Sequence, residues 1–284
     1  MFFLKGNEKL FIKKILKKIN PNIIIIGGYK LNISDIYSKK KNIKKFFWLE
    51  RVNDKNILKN LIRNIYIKIN LKKADGIFAI GKEASKFYKS FNSNVCNLPY
   101  SIKIQKKIKN YQVPKFLFVG QMVERKGVKE ILDALKKLNT QDYKFTFVGD
   151  GPLSKDVIKL SRQNKNIKYF KFKNELELNK IYMQNNILIL PSRYDGWGVV
   201  IIEAMARGMA IISSDKVGAS MEYIKHNYNG RIFNLKMNNL ENQINYYIKN
   251  ISKIKLFGYR NIKIFKNNLC NSKKASNKII GFIK

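Results

Sequence analysis

Two acidic residues, Asp195 and Glu203, lie eight positions apart on either side of a short glycine-containing stretch. Glu203 falls about one turn into a predicted helix over 199–207, and its neighbours in sequence are apolar, which disfavours an exposed position. Acids are seldom buried without a partner, so Glu203 is expected to bind one. A carboxylate at that point of a helix is directed back toward the preceding loop and can accept hydrogen bonds from hydroxyl groups. The pair therefore predicts a site for a polyhydroxylated ligand; the alternative for Glu203 is an exposed acid on a helix surface.

The stretch between the two acids has the composition of a loop that leaves a parallel strand and enters a helix. The apolar run 187–190 predicts a buried strand, and Gly208 is expected to end the helix in the left-handed conformation. Ligands of open parallel sheets bind at the carboxyl ends of the strands, where this loop lies. Free N–H groups at the start of the helix suit a phosphate or a sugar oxygen, and Gly196 and Gly198 would let such a ligand approach the backbone closely.

Two basic residues precede a second predicted helix of the same kind. Arg125 and Lys126 stand directly before Gly127, where a cation beside a helix N-terminus is placed to bind a diphosphate. In a chain this rich in lysine, a solvated loop charge is the alternative. The single histidine, His226, lies in a predicted turn and is not expected to act in catalysis.

These candidate residues belong to a regular alternation of strands and helices in the second half of the chain. Such an alternation predicts an α/β fold with a parallel, helix-covered sheet, of the doubly wound kind that binds nucleotides. The predicted elements are strand 115–120, helix 127–138, strand 143–148, helix 153–164, strand 167–172, helix 175–184, strand 186–190, helix 199–207 and strand 209–213. Two helical patterns follow between 240 and 265, and the lysine-rich tail after Asn267 is expected to fray.

The first half of the chain shows a shorter series of the same type. Its predicted elements are an apolar helical stripe that ends at Ile19, strand 23–26, strand 43–48, helix 58–71, strand 76–80, helix 82–91 and strand 95–98. The stripe favours a helix packed on the sheet; a basic amphipathic helix at a membrane surface is the alternative.

Several of these segments are similar to the motifs of one enzyme family. The run Asp195-Gly196-Trp197-Gly198, followed by Glu203-Ala204-Met205, resembles the Glu-x7-Glu signature of retaining GT-B glycosyltransferases of family 4 (glycosyl transferases group 1), with Asp in place of the first Glu. The resemblance extends, in the family's order, to segments 118–121, 125–127, 148–152, 214–218 and 229–230. It covers the chain well over 99–234 and more loosely over 21–91.

The resemblance implies a GT-B-like α/β fold with two Rossmann-like domains built on parallel sheets. The N-terminal, acceptor-side domain would cover 1–107 and would be incomplete, because the strands that open full-length members have no counterpart before Pro21. Strand 23–26, which is internal in full-length members, would then leave an apolar edge exposed, so either the reading frame is truncated or another polypeptide chain covers this edge. The C-terminal domain, which binds the nucleotide-sugar donor, would cover 108–262. A C-terminal helix that crosses back onto the first domain, with a basic tail, would cover 263–284.

The same resemblance implies roles for individual residues. Glu203 would hold the ribose hydroxyls, Asp195 would lie near the donor sugar, and Lys126 with Arg125 would bind the diphosphate. Gln121 stands where many members carry an arginine, so the second cation of the site is lost or shifted to Arg125. The donor-binding residues would be Gly120, Gln121, Phe172, Lys173, Gly196, Trp197, Gly198 and Val199, and Glu50 would make an acceptor-side contact. No metal ion and no cofactor are expected.

These roles imply a metal-independent enzyme that moves a sugar, with retention, from a UDP- or GDP-sugar to a glycan or lipid-linked acceptor in cell-envelope polysaccharide synthesis. The alternative is a non-catalytic nucleotide-sugar-binding protein or one subunit of a split enzyme, because of Gln121 and the missing acceptor-side strands. Binding of UDP without turnover of any donor would favour the alternative.

The chain carries 57 basic and 19 acidic residues, a formal net charge of +38. Only eight of the basic residues are arginine, and lysine, asparagine and isoleucine are abundant throughout, which favours compositional drift at tolerant surface positions. Attraction to an anionic membrane is the alternative. No motif for specific nucleic-acid recognition is present, and readers of nucleic acid favour arginine over lysine.

Two further features of the sequence bear on the cellular compartment. The cysteines, Cys96 and Cys270, are far apart and in no metal-binding spacing, which is typical of a reduced, cytosolic chain. No apolar run approaches the length needed to span a bilayer. The sequence therefore predicts a cytoplasmic protein, with peripheral contact to the inner face of the cytoplasmic membrane as a further expectation.

Overall fold

The computed structural model describes residues 8–28, 43–52, 65, 67–69, 71–103, 112–237, 239–269 and 272–284. The chain divides into two units, Met1–Pro99 with Lys278–Lys284 and Tyr100–Asn277. The division predicted from the sequence, at 107 and 262, differs from these limits in detail and stays a prediction of the domain organisation.

The first unit contains a parallel sheet with helices. Its elements are α1 (Glu8–Ile19), β1 (Ile23–Gly27), β2 (Lys44–Glu50), β3 (Gly76–Ile80), α2 (Lys82–Lys89) and β4 (Val95–Asn97). The strands pair in the order β1-β2-β3-β4, and every residue of β3 is buried, as expected at the centre of a parallel sheet. Most of the predicted helix 58–71 lies outside the described residues, and those of its residues that are described are helical.

Among the described residues, β1 lies at the edge of this sheet, as the sequence predicted. Ile23 and Ile25 are exposed on this strand. An exposed apolar edge strand is a point at which another chain can pair. A partner chain that covers this edge stays a prediction.

The second unit alternates strands and helices as predicted. Its elements are β5 (Lys115–Val119), α3 (Val128–Lys137), β6 (Lys144–Val148), α4 (Ser154–Gln163), β7 (Ile167–Phe170), α5 (Glu175–Gln184), β8 (Ile187–Leu190), α6 (Val199–Arg207), β9 (Ala210–Ser214), α7 (Gly218–Tyr223), β10 (Arg231–Phe233), α8 (Leu240–Lys249) and α9 (Ile251–Asn268). All strand pairs are parallel, which confirms the predicted fold class.

The strand order of this second sheet is β10-β9-β8-β5-β6-β7. The chain therefore proceeds outward in one direction from β5 and in the opposite direction from β8. A reversal of this kind leaves a crevice outside the carboxyl ends of the two central strands, and ligands of open α/β sheets bind there. The loops that follow β5 and β8 carry most of the predicted site residues.

Aromatic side chains fill the core beside β5 and β6. Phe116, Phe118, Phe145 and Phe147 are fully buried, and the ring centroids of Phe145 and Phe147 lie 4.5 Å apart. Burial of such rings supplies much of the apolar free energy that holds the sheet and its helices together. Strand β5, which carries the first loop, is thus anchored in this aromatic core, and every residue of β8, which carries the second loop, is buried.

The end of the chain does not fray, contrary to the prediction for the tail after Asn267. A further helix, α10 (Ser272–Ile283), forms there, and its second half belongs to the first unit. The ring of Phe282 lies 5.0 Å from that of Phe78 and 5.8 Å from that of Phe46, and Lys44 Nζ donates to the carbonyl of Ile283 at 2.9 Å. These contacts offset the entropy lost on ordering the tail.

Candidate functional site

The loop after β8 is held in place by backbone hydrogen bonds to the segment after β9. The N–H group of Asp195 donates to the carbonyl of Lys216 at 3.0 Å, and the Asp195 carbonyl accepts from the N–H group of Gly218 at 3.2 Å. A side chain on Gly218 would meet the Gly196 carbonyl oxygen at 2.4 Å, so the two segments approach as closely as backbone permits. The backbone of Asp195 is therefore held by the segment after β9, which limits where its carboxylate can lie.

Lys126 and Asp195 meet at this crevice. Lys126 Nζ donates to Asp195 Oδ2 at 2.6 Å, and the two side chains are only 17% and 9% exposed. Lys126 comes from the short 3-10 turn Glu124–Lys126 in the loop after β5. The structure thus brings together the acid of the second loop and the cation of the first, which the sequence placed 69 residues apart.

Further bonds tie the two loops to each other. The N–H group of Arg193 donates to the Arg125 carbonyl at 2.8 Å, and the Arg125 guanidinium donates to the Tyr194 carbonyl at 2.9 Å. The Arg193 side chain donates from Nε to Glu130 Oε1 at 2.8 Å. Arg125 is exposed, so its remaining N–H groups can reach a ligand while one of them braces the neighbouring loop.

Gly127 makes this close approach sterically allowed. Its φ is +77°, and a Cβ atom there would stand 2.0 Å from the carbonyl oxygen of Pro191. No side chain can be accommodated at that distance, and the left-handed backbone also favours glycine. The glycine that the sequence places after Lys126 therefore allows the first loop to pack directly on the second.

Helix α6 begins at the same crevice. Gly198 precedes it with φ of +80°, and a Cβ atom there would stand 2.6 Å from Val217 Cγ1 and 3.6 Å from Asp195 Cγ. The first N–H groups of a helix lack partners within it and carry partial positive charge, so they can bind an anion. At the other end, Gly208 ends α6 in the left-handed conformation, as predicted.

Glu203 lies one turn into α6 and is held from the neighbouring helix. Tyr182, on α5, donates its hydroxyl proton to Glu203 Oε2 at 2.7 Å. Oε1 has no hydrogen-bond partner in the part of the chain that the structure describes, and the residue is partly exposed. Side chains of a helix lean toward its N-terminus, so this carboxylate is directed toward the loop that carries Asp195.

The other predicted donor-binding residues of the first loop and of β7 lie at the carboxyl edge of the sheet. Lys126 Cδ passes 4.0 Å from the point where a Cβ atom on Gly120 would stand, and Gln121 next to it is exposed. Phe172 follows β7 and is 84% exposed, and Lys173 Nζ donates to Glu177 Oε1 at 2.9 Å. These residues follow β5 and β7, and of the four, Gly120 is the one that the structure shows beside the Lys126 side chain.

Trp197 is not presented to solvent. Its side chain is 1% exposed, packs edge-on against Tyr223 with ring centroids 5.9 Å apart, and has an indole N–H group without a partner among the described residues. Any ligand contact of this residue must therefore come from its backbone. Val199, which opens α6, has an exposed side chain.

Glu50 and His226 each make a local contact of their own. Glu50 lies on β2 in the first unit, and its carbonyl accepts from the Tyr88 hydroxyl at 2.8 Å. His226 lies in the turn before β10, where its Nδ1 accepts from the N–H group of Ile232 at 3.1 Å. Partial burial, with a smaller effect of nearby Arg231, lowers the pKa of His226. This bond is the role of His226 that the structure shows.

Sequence reasoning missed Tyr182 and Arg207, two residues that support Glu203. Both are buried, and the Arg207 guanidinium carbon lies 4.3 Å from the centroid of the Tyr182 ring. Arg207 also donates to the Glu203 carbonyl at 2.8 Å. The available signal was weak: an arginine in the last turn of an otherwise apolar helix must find partners if it is buried.

A second concave region lies between α3 and α4. Its volume is about 460 Å³, and it is lined mainly by charged side chains, among them Lys129, Asp133 and Asp156. Lys129 pairs with Glu124, and Lys136 lies 3.9 Å from Asp133. The charges in this groove compensate each other on the protein itself, so we assign no ligand to it.

Neither a metal-binding cluster nor a membrane-spanning helix is found among the described residues. No group of three or more His, Cys, Asp or Glu side chains in this part of the chain is arranged to hold a metal ion. Within the same residues, every helix is too short or too polar to cross a membrane.

The geometry of the second unit agrees with comparisons to known proteins. Residues 101–263 match the profile of the family described as glycosyl transferases group 1. The structure superposes on that of Anabaena Alr3699/HepE in complex with UDP-glucose with a TM-score of 0.78 at 15% identity, over 96% of this chain and 80% of that one. A likeness at this identity shows a common GT-B fold.

Two relatives are similar in sequence. An uncharacterized 41.2 kDa protein in the cps region of Klebsiella pneumoniae is 27% identical over 183 residues, which are 64% of this chain and 44% of the relative. The N,N'-diacetylbacillosaminyl-diphospho-undecaprenol alpha-1,3-N-acetylgalactosaminyltransferase of Campylobacter jejuni is 24% identical over 250 residues, 78% of this chain and 65% of the relative. The chain thus spans less than two thirds of the length of each. Because the family profile covers more than half of its residues, the chain belongs to the glycosyl transferases group 1 family.

Proposed function

We propose that this chain transfers a sugar, with retention of configuration, from a UDP- or GDP-sugar to a glycan or lipid-linked acceptor in the synthesis of a cell-envelope polysaccharide. The observation that carries the proposal is the contact between Lys126 and Asp195 at the start of α6. A cation, helix N–H groups and an acid of this kind match a ligand that is a diphosphate at one end and a sugar at the other.

Each residue of the crevice has a chemical task in this proposal. Lys126, with Arg125 and the first N–H groups of α6, neutralises the departing nucleoside diphosphate as its bond to the sugar breaks. Asp195 accepts hydrogen bonds from the sugar hydroxyls, and Glu203 accepts them from the ribose. The acceptor hydroxyl oxygen then forms its bond to the sugar on the face that the diphosphate leaves, and the hydroxyl proton passes to the departing diphosphate. The reaction would need no metal ion, because fixed positive groups stabilise the developing charge.

The remaining predicted contacts complete the donor site. The backbone around Phe172 and Lys173 would meet the base, and the backbone from Gly196 to Val199 would meet the sugar and phosphate. The glycan acceptor would meet the first unit, where Glu50 is the proposed contact. The names of the relatives support this reading: HepE was solved with UDP-glucose, and the Campylobacter relative is named for a lipid-linked substrate.

The net charge of +38 supports a place at the inner face of the cytoplasmic membrane. Each basic residue near an anionic surface contributes about 1 kcal/mol of attraction. A cosedimentation assay with vesicles of phosphatidylglycerol and of phosphatidylcholine tests this. We expect the protein to sediment with the anionic vesicles alone and to be released from them at high salt. Equal amounts of protein sedimented with the two kinds of vesicle would contradict this proposal.

The proposed activity is tested with the purified chain and a panel of UDP- and GDP-sugars. We expect one nucleoside diphosphate to bind in calorimetry and one donor to be hydrolysed slowly in the absence of acceptor. Binding without turnover of any donor would favour a non-catalytic or split-enzyme subunit, a second candidate that the exposed Gln121 supports. Absence of any nucleotide binding would contradict both.

A further inference from the structure

We propose that Tyr182 is a positioning residue that fixes the orientation of the Glu203 carboxylate toward the ribose of the donor. The inference rests on the proposed function. Tyr182 lies on α5 and is fully buried, and its hydroxyl group donates to Glu203 Oε2 at 2.7 Å. The contact joins two helices, so the carboxylate is oriented by an element other than its own.

The tyrosine ring is itself fixed by Arg207. The guanidinium carbon lies 4.3 Å from the ring centroid, and Arg207 is only 6% exposed. It donates to the Glu203 carbonyl at 2.8 Å and also to Asn179 Oδ1. The arginine therefore links α5 to α6, and the ring has little freedom to turn away from Glu203.

The tyrosine hydroxyl acts as a hydrogen-bond donor to Glu203. Burial, with a further contribution from the Glu203 carboxylate, raises the pKa of Tyr182 well above its usual value. The phenol thus keeps its proton throughout the range in which enzymes work. Its proton is directed at Oε2, and a carboxylate can only accept.

This hydrogen bond decides which way the carboxylate faces. The last torsion of a glutamate side chain is broad, with no strongly preferred value of its own. With Oε2 bonded to Tyr182, the plane of the carboxylate is set, and Oε1 is left to accept from a ribose hydroxyl. Without the tyrosine hydroxyl the carboxylate would turn freely, and part of its affinity for the ribose would be lost as entropy.

The test compares UDP with 2′,3′-dideoxy-UDP, and GDP with its dideoxy analogue, by calorimetry on the full chain. The wild type is expected to prefer the ribonucleotide. In Tyr182→Phe, affinity for the ribonucleotide should fall about fivefold, the effect of one hydrogen bond, while affinity for the dideoxy analogue stays the same. The double variant Tyr182→Phe with Glu203→Gln should bind no more weakly than Glu203→Gln alone, because both changes act through one group.

Tyr247→Phe is the matched control. Tyr247 is also fully buried in the second unit, and its hydroxyl donates to the carbonyl of Ile211 at 3.2 Å, away from Glu203. Its loss should lower stability without changing the preference for ribose. An unchanged preference in Tyr182→Phe, or an equal loss for both nucleotides, would overturn the inference and leave the proposed function standing. If the wild type bound neither UDP nor GDP, the proposed function itself would fail.

Discussion

Lys126 Nζ lies 2.6 Å from Asp195 Oδ2. The two side chains belong to the loops that follow the neighbouring strands β5 and β8. Both side chains are largely buried, so each charge needs the other to offset its lost hydration. The carboxylate orients the ammonium group at the start of α6. A diphosphate that entered this crevice would meet a cation already in position, which is the arrangement that stabilises a departing anion most effectively.

Lys126→Ala is expected to weaken the binding of UDP or GDP by about 1.5–3 kcal/mol, the contribution of a hydrogen bond to a charged group. Titration calorimetry measures the change. The substitution also leaves the Asp195 carboxylate buried without its cation, so the free energy of unfolding should fall as well.

The two effects can be separated with a double variant. Lys126→Met with Asp195→Asn replaces the charged pair by neutral side chains of similar volume, and it should recover stability without recovering nucleotide affinity. If Lys126→Ala bound the nucleotide as tightly as the wild type does, Lys126 would not belong to the site.

Glu203→Gln should weaken the binding of the free nucleoside diphosphate as well as of the sugar nucleotide. The proposed contact is to the ribose, which both ligands contain, and exchanging a charged acceptor for a neutral one costs about 1.5 kcal/mol. Competition calorimetry with both ligands checks this. Asp133→Asn, at an exposed acid on α3, is the control and should change neither affinity. Normal binding of free UDP or GDP to Glu203→Gln would show that the ribose assignment is wrong.

Gly127→Ala is expected to destabilise the second unit by about 2 kcal/mol or more, because the new Cβ atom would lie 2.0 Å from Pro191 O at a left-handed φ. Chemical denaturation measures the loss, and nucleotide affinity should fall with it since the two loops must separate. Gly281→Ala is the matched control. Apart from its chain neighbours and its own helix backbone, no described atom lies within 4 Å of the point where its Cβ atom would stand, and within α10 alanine should be neutral or stabilising. Equal stability of the two variants would contradict the account of the loop contact.

Phe282→Ala should destabilise the first unit by about 3 kcal/mol, by removing a ring that packs on Phe46 and Phe78. The measurement is hydrogen exchange of β2 and β3, which reports on this unit separately. Ile280→Ala, an exposed position on the same helix, serves as the control and should have little effect. Unaltered exchange in Phe282→Ala would mean that the tail adds no stability to the unit.

The sequence was sufficient for the alternation of strands and helices and for the loops that carry the site. A short apolar run such as 187–190, ended by a proline, favours a buried parallel strand, and a glycine such as Gly208 ends a helix because it readily adopts the left-handed conformation. The ion pair of Lys126 with Asp195 was not predicted; the rule that ligands bind at the carboxyl ends of strands indicated only that their two loops lie at the same edge of the sheet.

Contacts between distant side chains were beyond sequence reasoning. The sequence of α5 gives no sign of a role for Tyr182, and only the packing of α5 on α6 reveals that its hydroxyl meets Glu203. The order of the tail was missed for a related reason. Its lysines indicated a solvated end, whereas the Phe282 ring packs on Phe78 and Phe46 and the carbonyl of Ile283 accepts from Lys44.

Stability should fall when the pH is lowered from about 7 to about 5.5, and His226 should be the cause. The pKa of His226 is lowered in the folded state, chiefly by burial, from about 6.5 in the unfolded chain. The unfolded state therefore binds the proton more readily, and folding free energy is lost as the pH drops through the unfolded value. Hydrogen bonds from Ser154 and Lys173 lower the pKa values of Asp150 and Glu177. Protonation of these two acids also lowers stability, but it takes place at a lower pH than that of His226.

Denaturation curves at several pH values between about 5.5 and about 7.5 measure this effect, because that window spans the ordinary pKa of histidine. His226 is the single histidine of the chain, so His226→Asn should flatten the dependence in that window. The amide oxygen of asparagine can still accept from the N–H group of Ile232, which keeps the turn before β10 intact. The same slope in the variant and in the wild type would assign the loss to another group. A flat profile in both would mean that the folded protein does not disfavour protonation of His226.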